Sequence, residues 1–105
     1  MNKYWKDQWV KALRSGEYKQ GQHRLCREVD SECQYCVLGV LCDISYNGYW
    51  EKFQDVWRVG GRSGFPVEEL LEEVGLTPND ASFLAGRNDS GLDFRMLANY
   101  IEEWL

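Results

Sequence analysis

His23 and Cys26 stand three residues apart, Cys33 and Cys36 repeat that spacing, and six residues separate the two pairs. Two pairs of soft ligands at these intervals can close a tetrahedral zinc site across a short hairpin. The alternative use of the same cysteines is as buried thiols in a reducing compartment. A redox role for Cys33-Gln34-Tyr35-Cys36 would call for a reactive thiolate at a helix N-terminus within a βαβ unit, a pattern this chain lacks. Cys42, beside Leu38 and Leu41, reads as a small buried hydrophobe. A cysteine nucleophile would need a histidine base, and His23 is the single histidine of the chain.

A second constellation has the chemistry of anion and base recognition. Arg14-Ser15-Gly16-Glu17-Tyr18-Lys19-Gln20-Gly21 mixes cations, a hydroxyl, an amide and an aromatic ring with glycines that let backbone amides approach a partner. Arg14 or Lys19 would take phosphate, Tyr18 would stack, and Gln20 would reach a base edge or ribose. Trp57, Arg58 and Arg62 add a ring and two cations, and Asp43 would anchor a ligand hydroxyl. Each residue also has an ordinary structural use: Gly16 ends a helix, Tyr18 packs over Trp9, Gln20 satisfies loop backbone, and Asp43 accepts backbone hydrogen bonds. No nucleophile-base pair, placed pair of carboxylates or cofactor fingerprint can be assembled, so the chain reads as non-enzymatic.

The elements that must position these residues follow from periodicity and punctuation. Trp5, Trp9, Val10, Ala12 and Leu13 predict a helix from about Lys3 to Ser15, capped by Asn2 and ended by Gly16. Leu25-Cys26-Arg27 and Tyr35-Cys36-Val37 predict two strands around a longer loop, Glu28 to Gln34. Leu38 to Ser45 predicts a short buried helix in which Gly39 lets another backbone come close. Asn47-Gly48 predicts a turn, Tyr49 to Trp50 and Gln54 to Val59 predict strands, and Gly60 to Gly64 a loop or hairpin tip. Pro66 is expected in the first turn of a helix carrying Val67, Leu70, Leu71 and Val74 and stopped by Gly75. A short helix bearing Phe83 and Leu84 follows, then a turn over Arg87 to Gly91. Asp93 caps a last helix with Phe94, Leu97, Ile101 and Leu105 on one face. The sum is an α+β fold, a single domain over residues 1–105, with four to five helices packed on one or two short antiparallel hairpins.

Five tryptophans, six tyrosines and four phenylalanines give this small chain much rigid apolar area, suited to a core or an interface. Seventeen acidic against twelve basic side chains leave a formal charge of −5, which opposes broad nucleic-acid binding. No apolar run approaches a membrane span and the first residues lack a signal-peptide core, so a cytoplasmic protein is expected.

Three segments together resemble a family of small bacteriophage and prophage proteins. They are Trp9-Val10 with Ala12 to Gly16, Tyr18 and Gln20-Gly21, then Cys36 with Leu38 to Asp43, and Leu84 with Asn88-Asp89, Gly91, Phe94, Leu97-Ala98 and Ile101-Glu102. Asp93 stands where the resemblance has serine, an exchange between two helix-capping residues. The resemblance implies a phage accessory protein in the host bacterial cytoplasm. Three functions are expected from it and from the residues above. One is an anti-defence protein, possible as a homo-oligomer, that sequesters a small nucleotide signal. Another is an inhibitor or adaptor that binds a host protein through an acidic, aromatic-rich face, and the third is a module stabilised by zinc.

Overall fold

A computed structural model of the chain describes residues 1–45 and 50–105; the Asn47-Gly48 turn and Tyr49 lie outside the described residues. Among the described residues five helices pack with a five-stranded mixed sheet, an α+β arrangement. Helix α1 (Lys3–Arg14) starts where Asn2 Oδ1 accepts the Trp5 N–H at 3.1 Å, and its Trp9, Val10 and Leu13 are buried. Trp9 is fully enclosed and donates its indole N–H to the Val37 carbonyl at 3.0 Å, so the largest core side chain is also oriented.

Strands β1 (Lys19–Gln20), β2 (Cys26–Val29) and β3 (Glu32–Tyr35) follow, then helix α2 (Val37–Ser45), strands β4 (Trp50–Phe53) and β5 (Val56–Val59), and helices α3 (Glu68–Val74), α4 (Pro78–Asp89) and α5 (Phe94–Trp104). The strand order is β1-β3-β2-β5-β4. All pairs are antiparallel except β1 with β3, which is parallel. The two expected hairpins are therefore fused through β2 and β5 into one sheet, and the polar stretch after Gly16 supplies a short fifth strand.

The first hairpin is tighter than its sequence suggests. Asp30 and Ser31, with φ of 51° and 67°, close a two-residue turn, so Glu28 and Gln34 belong to the strands and not to a loop. The second hairpin reverses at Gln54-Asp55, where Gln54 has a φ of 59°, and the expected tip at Gly60 to Gly64 is a further tight reversal over Gly60-Gly61, closed by an antiparallel bridge between Val59 and Arg62. Helix α3 begins at Glu68 with Val67 as its cap, which places Pro66 before the helix. Helix α4 runs through Arg87, Asn88 and Asp89, the segment whose sequence predicts a turn. Thr77 and Asp93 cap α4 and α5 by accepting the Asp80 and Met96 N–H groups.

Helix α2 lies at the centre. Val37 to Cys42 are all buried, as expected of a helix apolar on every side. Helices α1 and α4 pack against it and α5 packs on α1 and α4, so that Leu13, Leu84, Leu97 and Ile101 join α2 in one core. Among the described residues, no helix is long and apolar enough to cross a membrane.

Candidate functional site

Side chains alternate along a strand, so register decides which residues meet. Cys26 stands opposite Tyr35 on one side and Trp57 on the other, Glu28 opposite Cys33, and Lys52 opposite Trp57. These residues and Trp50 share one face of the sheet. Arg27, Gln34, Phe53, Val56 and Arg58 share the other. On the first face Cys26, Cys33, Tyr35, Trp50 and Trp57 line a recess of about 110 Å³.

Asp43 of α2 backs this recess. Its carboxylate accepts the Tyr18 hydroxyl at 2.5 Å and the Trp50 indole N–H at 3.0 Å. Tyr18 meets Tyr35 edge-on at 5.0 Å between ring centroids, and Tyr35 meets Trp50 at 6.2 Å, so three rings interlock beside one carboxylate. Burial first, and then the hydrogen bond to Asp43, hold the Tyr18 hydroxyl protonated well above the usual phenol range. Burial raises Tyr35 in the same way, with neighbouring Cys26 and Asp43 adding to it. At the rim the Lys52 ammonium lies 5.7 Å from the Trp57 ring centroid while pairing with Glu28 at 2.5 Å.

The residues expected from sequence to hold a nucleotide do not converge. Trp57 lines the recess, and Tyr18 and Asp43 stand behind its Tyr35 and Trp50 walls, but the cations are elsewhere and mostly engaged. Arg14 forks onto Glu102 at 3.0 and 3.1 Å and reaches Asn99 at 2.8 Å, joining α1 to α5. Lys19 pairs with Glu32 at 2.6 Å. Gln20 donates to Asn88 and to the Leu92 carbonyl and accepts the Phe94 N–H, so both donors of its amide serve the junction of β1 with α4 and α5. Arg58 lies on the opposite sheet face over the Phe53 ring at 4.7 Å, and Arg62 is exposed in the turn after β5.

The expected zinc ligands are also dispersed. Cys26 and Cys33 are neighbours in the recess, whereas Cys36 is buried at the start of α2, its Sγ accepting the Gly39 N–H at 3.3 Å. His23 sits on the surface with Nδ1 3.4 Å from Asp89 Oδ2. Among the described residues no group of three or more His, Cys, Asp and Glu side chains is placed to hold a metal ion, so the His23/Cys26/Cys33/Cys36 site is not assembled. The physical reason is the tight hairpin: its strands keep Cys26 and Cys33 on one sheet face, while Cys36 has already left the sheet and turned into the core.

Burial also argues against thiolate chemistry. It pushes the Cys26 thiol up to about 12, with the adjacent Cys33 contributing, and the Cys36 thiol up to about 11. Cys42 is raised further, again by burial. A disulfide reagent at about pH 8 is therefore expected to modify one thiol rapidly in the folded protein, that of half-exposed Cys33, and all four only after denaturation. Rapid reaction at a second cysteine would contradict this burial pattern.

Tyr35, Trp50, Lys52 and Glu28 are not singled out by sequence spacing. The signal that finds them is the pair of two-residue turns, Asp30-Ser31 and Gln54-Asp55, which fixes both registers at once. Larger apolar side chains are exposed elsewhere too: Met96 and Trp104 flank Tyr100 on α5, and Phe83 of α4 lies 5.0 Å from the Tyr100 ring.

A family model described as Domain of unknown function (DUF8296) matches residues 1–79, the segment from α1 to the first turn of α4 that carries the whole recess. Neither the curated proteins nor the solved structures contain a match.

Proposed function

The chain belongs to the DUF8296 family, and from that premise we propose that it is a non-enzymatic, partner-binding protein of phage or prophage origin. In this reading it works in the host bacterial cytoplasm as an inhibitor or adaptor, and the aromatic sheet face docks on a host protein. One observation carries the reading: three aromatic rings and two thiols line a recess of about 110 Å³, the size of one side chain, with the Asp43 carboxylate behind it holding the Trp50 indole. Pockets for whole small molecules are larger, roughly 300 Å³ or more. Aromatic residues that receive a partner's side chain are the usual anchors of protein interfaces. The net charge of −5 favours a basic partner surface.

A second reading, sequestration of a nucleotide signal, has its own observation. Leu13, Arg14, Gly16, Arg95 and Asn99 line an open groove of about 480 Å³ between α1 and α5. Two guanidiniums there offer phosphate contacts, although Glu102 already neutralises Arg14.

The test is capture from a bacterial host lysate on immobilised protein, followed by binding measurements with the captured partner in purified form. Trp50→Leu and Trp57→Leu are expected to weaken that binary complex at least tenfold, the scale on which buried aromatic anchors act. A complex indifferent to both tryptophans, or no complex, overturns the reading. A parallel calorimetric screen of cyclic nucleotides and ADP-ribose derivatives decides for sequestration if heat is released and Arg14→Ala abolishes it.

A further inference from the structure

We propose that the sheet-face recess is a cation-accepting aromatic cage, and that its occupant is the alkylammonium end of a lysine side chain on the partner. The inference rests on the protein-binding reading and names the chemistry of the group received. Three observations lead to it.

The first is the orientation of the rings. Trp50 turns its indole N–H toward Asp43, and Tyr18 turns its hydroxyl to the same carboxylate. Donation to an anion polarises a ring toward greater electron density, which deepens the negative potential over its faces. Tyr35 packs edge-on against Tyr18 and also meets Trp50 at a steep angle, 72°, so neighbouring rings present faces in different directions, as the walls of a cage must.

The second is that the chain's own Lys52 already uses this chemistry, its ammonium lying 5.7 Å from the Trp57 centroid. Glu28 holds it at 2.5 Å and offsets its charge, so a second cation entering beside Tyr35 and Trp50 does not meet an uncompensated one. The third is size and lining. The recess of about 110 Å³ holds a single alkylammonium head, up to the size of tetramethylammonium, and among the described residues its walls are aromatic and thiol, with no charged side chain to pair an anion. An apolar occupant would fill the same volume, but it would gain nothing from Asp43.

The decisive experiment follows the tryptophan indole N–H resonances by NMR. The folded protein is titrated with tetramethylammonium chloride, with Nα-acetyl-lysine methylamide, and with neopentyl alcohol, a neutral molecule of similar shape, all at matched ionic strength. Saturable shifts at Trp50 and Trp57 are expected for both cations, with neopentyl alcohol about tenfold weaker. Asp43→Asn keeps an acceptor for Trp50, removes the charge, and is expected to weaken the cations several-fold while leaving the alcohol unchanged. Lys52→Met removes the competing ammonium and is expected to tighten both cations.

Absence of saturable shifts, or equal binding of the alcohol, overturns the cage. Tetramethylammonium binding without any lysine binding overturns the lysine as occupant and points to a free quaternary amine. If a purified partner complex depends on Trp57 while both cations fail, the protein-binding reading stands and only the cation assignment falls. If the cations bind and no partner complex forms, the reverse holds.

Discussion

Asn88→Leu is expected to destabilise the fold by about 3–5 kcal/mol, a loss readable as a shift of the urea midpoint at unchanged slope. Asn88 is fully buried, and its side chain holds three parts of the chain together. Its Oδ1 accepts the Val37 N–H at 3.1 Å, an amide in the first turn of α2 with no partner inside that helix, and also the Gln20 Nε2 at 2.9 Å. Its Nδ2 donates to the Gly21 carbonyl at 2.9 Å. Leucine has nearly the same volume, so the cost arises from polar groups left without partners, at about 1–3 kcal/mol for each buried one. A loss below about 1 kcal/mol would mean that water or a rotated Gln20 replaces the amide, contrary to its enclosure. Asp89→Ala is the control. Asp89 accepts the exposed His23 N–H at 2.9 Å, and its removal is expected to cost much less.

The same residue shows why part of this molecule is readable from sequence and part is not. Helices α1 and α5 are legible because their apolar residues recur at helical spacing and Asn2 and Asp93 cap them, signals confined to a few neighbouring residues. Asn88 and Asp89 carry an ordinary turn signature, yet α4 continues through them because Asn88 gains its partners from Gly21 and Val37, more than fifty residues away in sequence. The ligand-like mixture around Gln20 misleads for the same reason: its amide is saturated by Leu92, Phe94 and Asn88, contacts that no local window contains. Residues 1–79, the segment matched by the family model, hold Gln20 and Val37 but not Asn88, so the matched segment is completed by the remainder of α4 and by α5.

The recess is half legible. Tyr18, Asp43 and Trp57 carry functional chemistry on inspection, and the two cysteines of its wall attract notice through their spacing. Joining them needs register, and register here depends on Asp30, Ser31 and Gln54 adopting positive φ, a conformation that none of the three residue types requires. Once the two short turns and the β2–β5 pairing are known, alternation brings Cys26, Tyr35, Trp57 and Lys52 to one face. It also removes Arg58 to the other, which separates a cation and a ring that adjoin in sequence.

Gly39→Ala tests the centre of the same assembly, and an opposite result is expected for the same exchange in another helix. Intrinsic propensity favours alanine over glycine inside a helix by about 1 kcal/mol. At Gly39, however, a Cβ would stand 1.7 Å from the Leu25 carbonyl oxygen and 2.6 Å from its carbon. That carbonyl cannot simply move away. It accepts the Cys36 N–H at 3.2 Å, and the Leu25 N–H is held by the Ser63 carbonyl at 2.7 Å. Three segments must shift together, so a net loss of about 3 kcal/mol or more is expected, at the upper end of overpacking costs. At Gly86 of α4 an added methyl group would meet nothing within 4 Å, and Gly86→Ala is expected to stabilise by about 0.5–1 kcal/mol. Because β2 begins next to Leu25, any Gly39→Ala protein that remains folded should also displace Cys26 relative to Trp57 and lose its response to tetramethylammonium. A Gly39→Ala protein as stable as Gly86→Ala would show that α2 does not press on β2, and the link from core packing to the shape of the recess would fall with it.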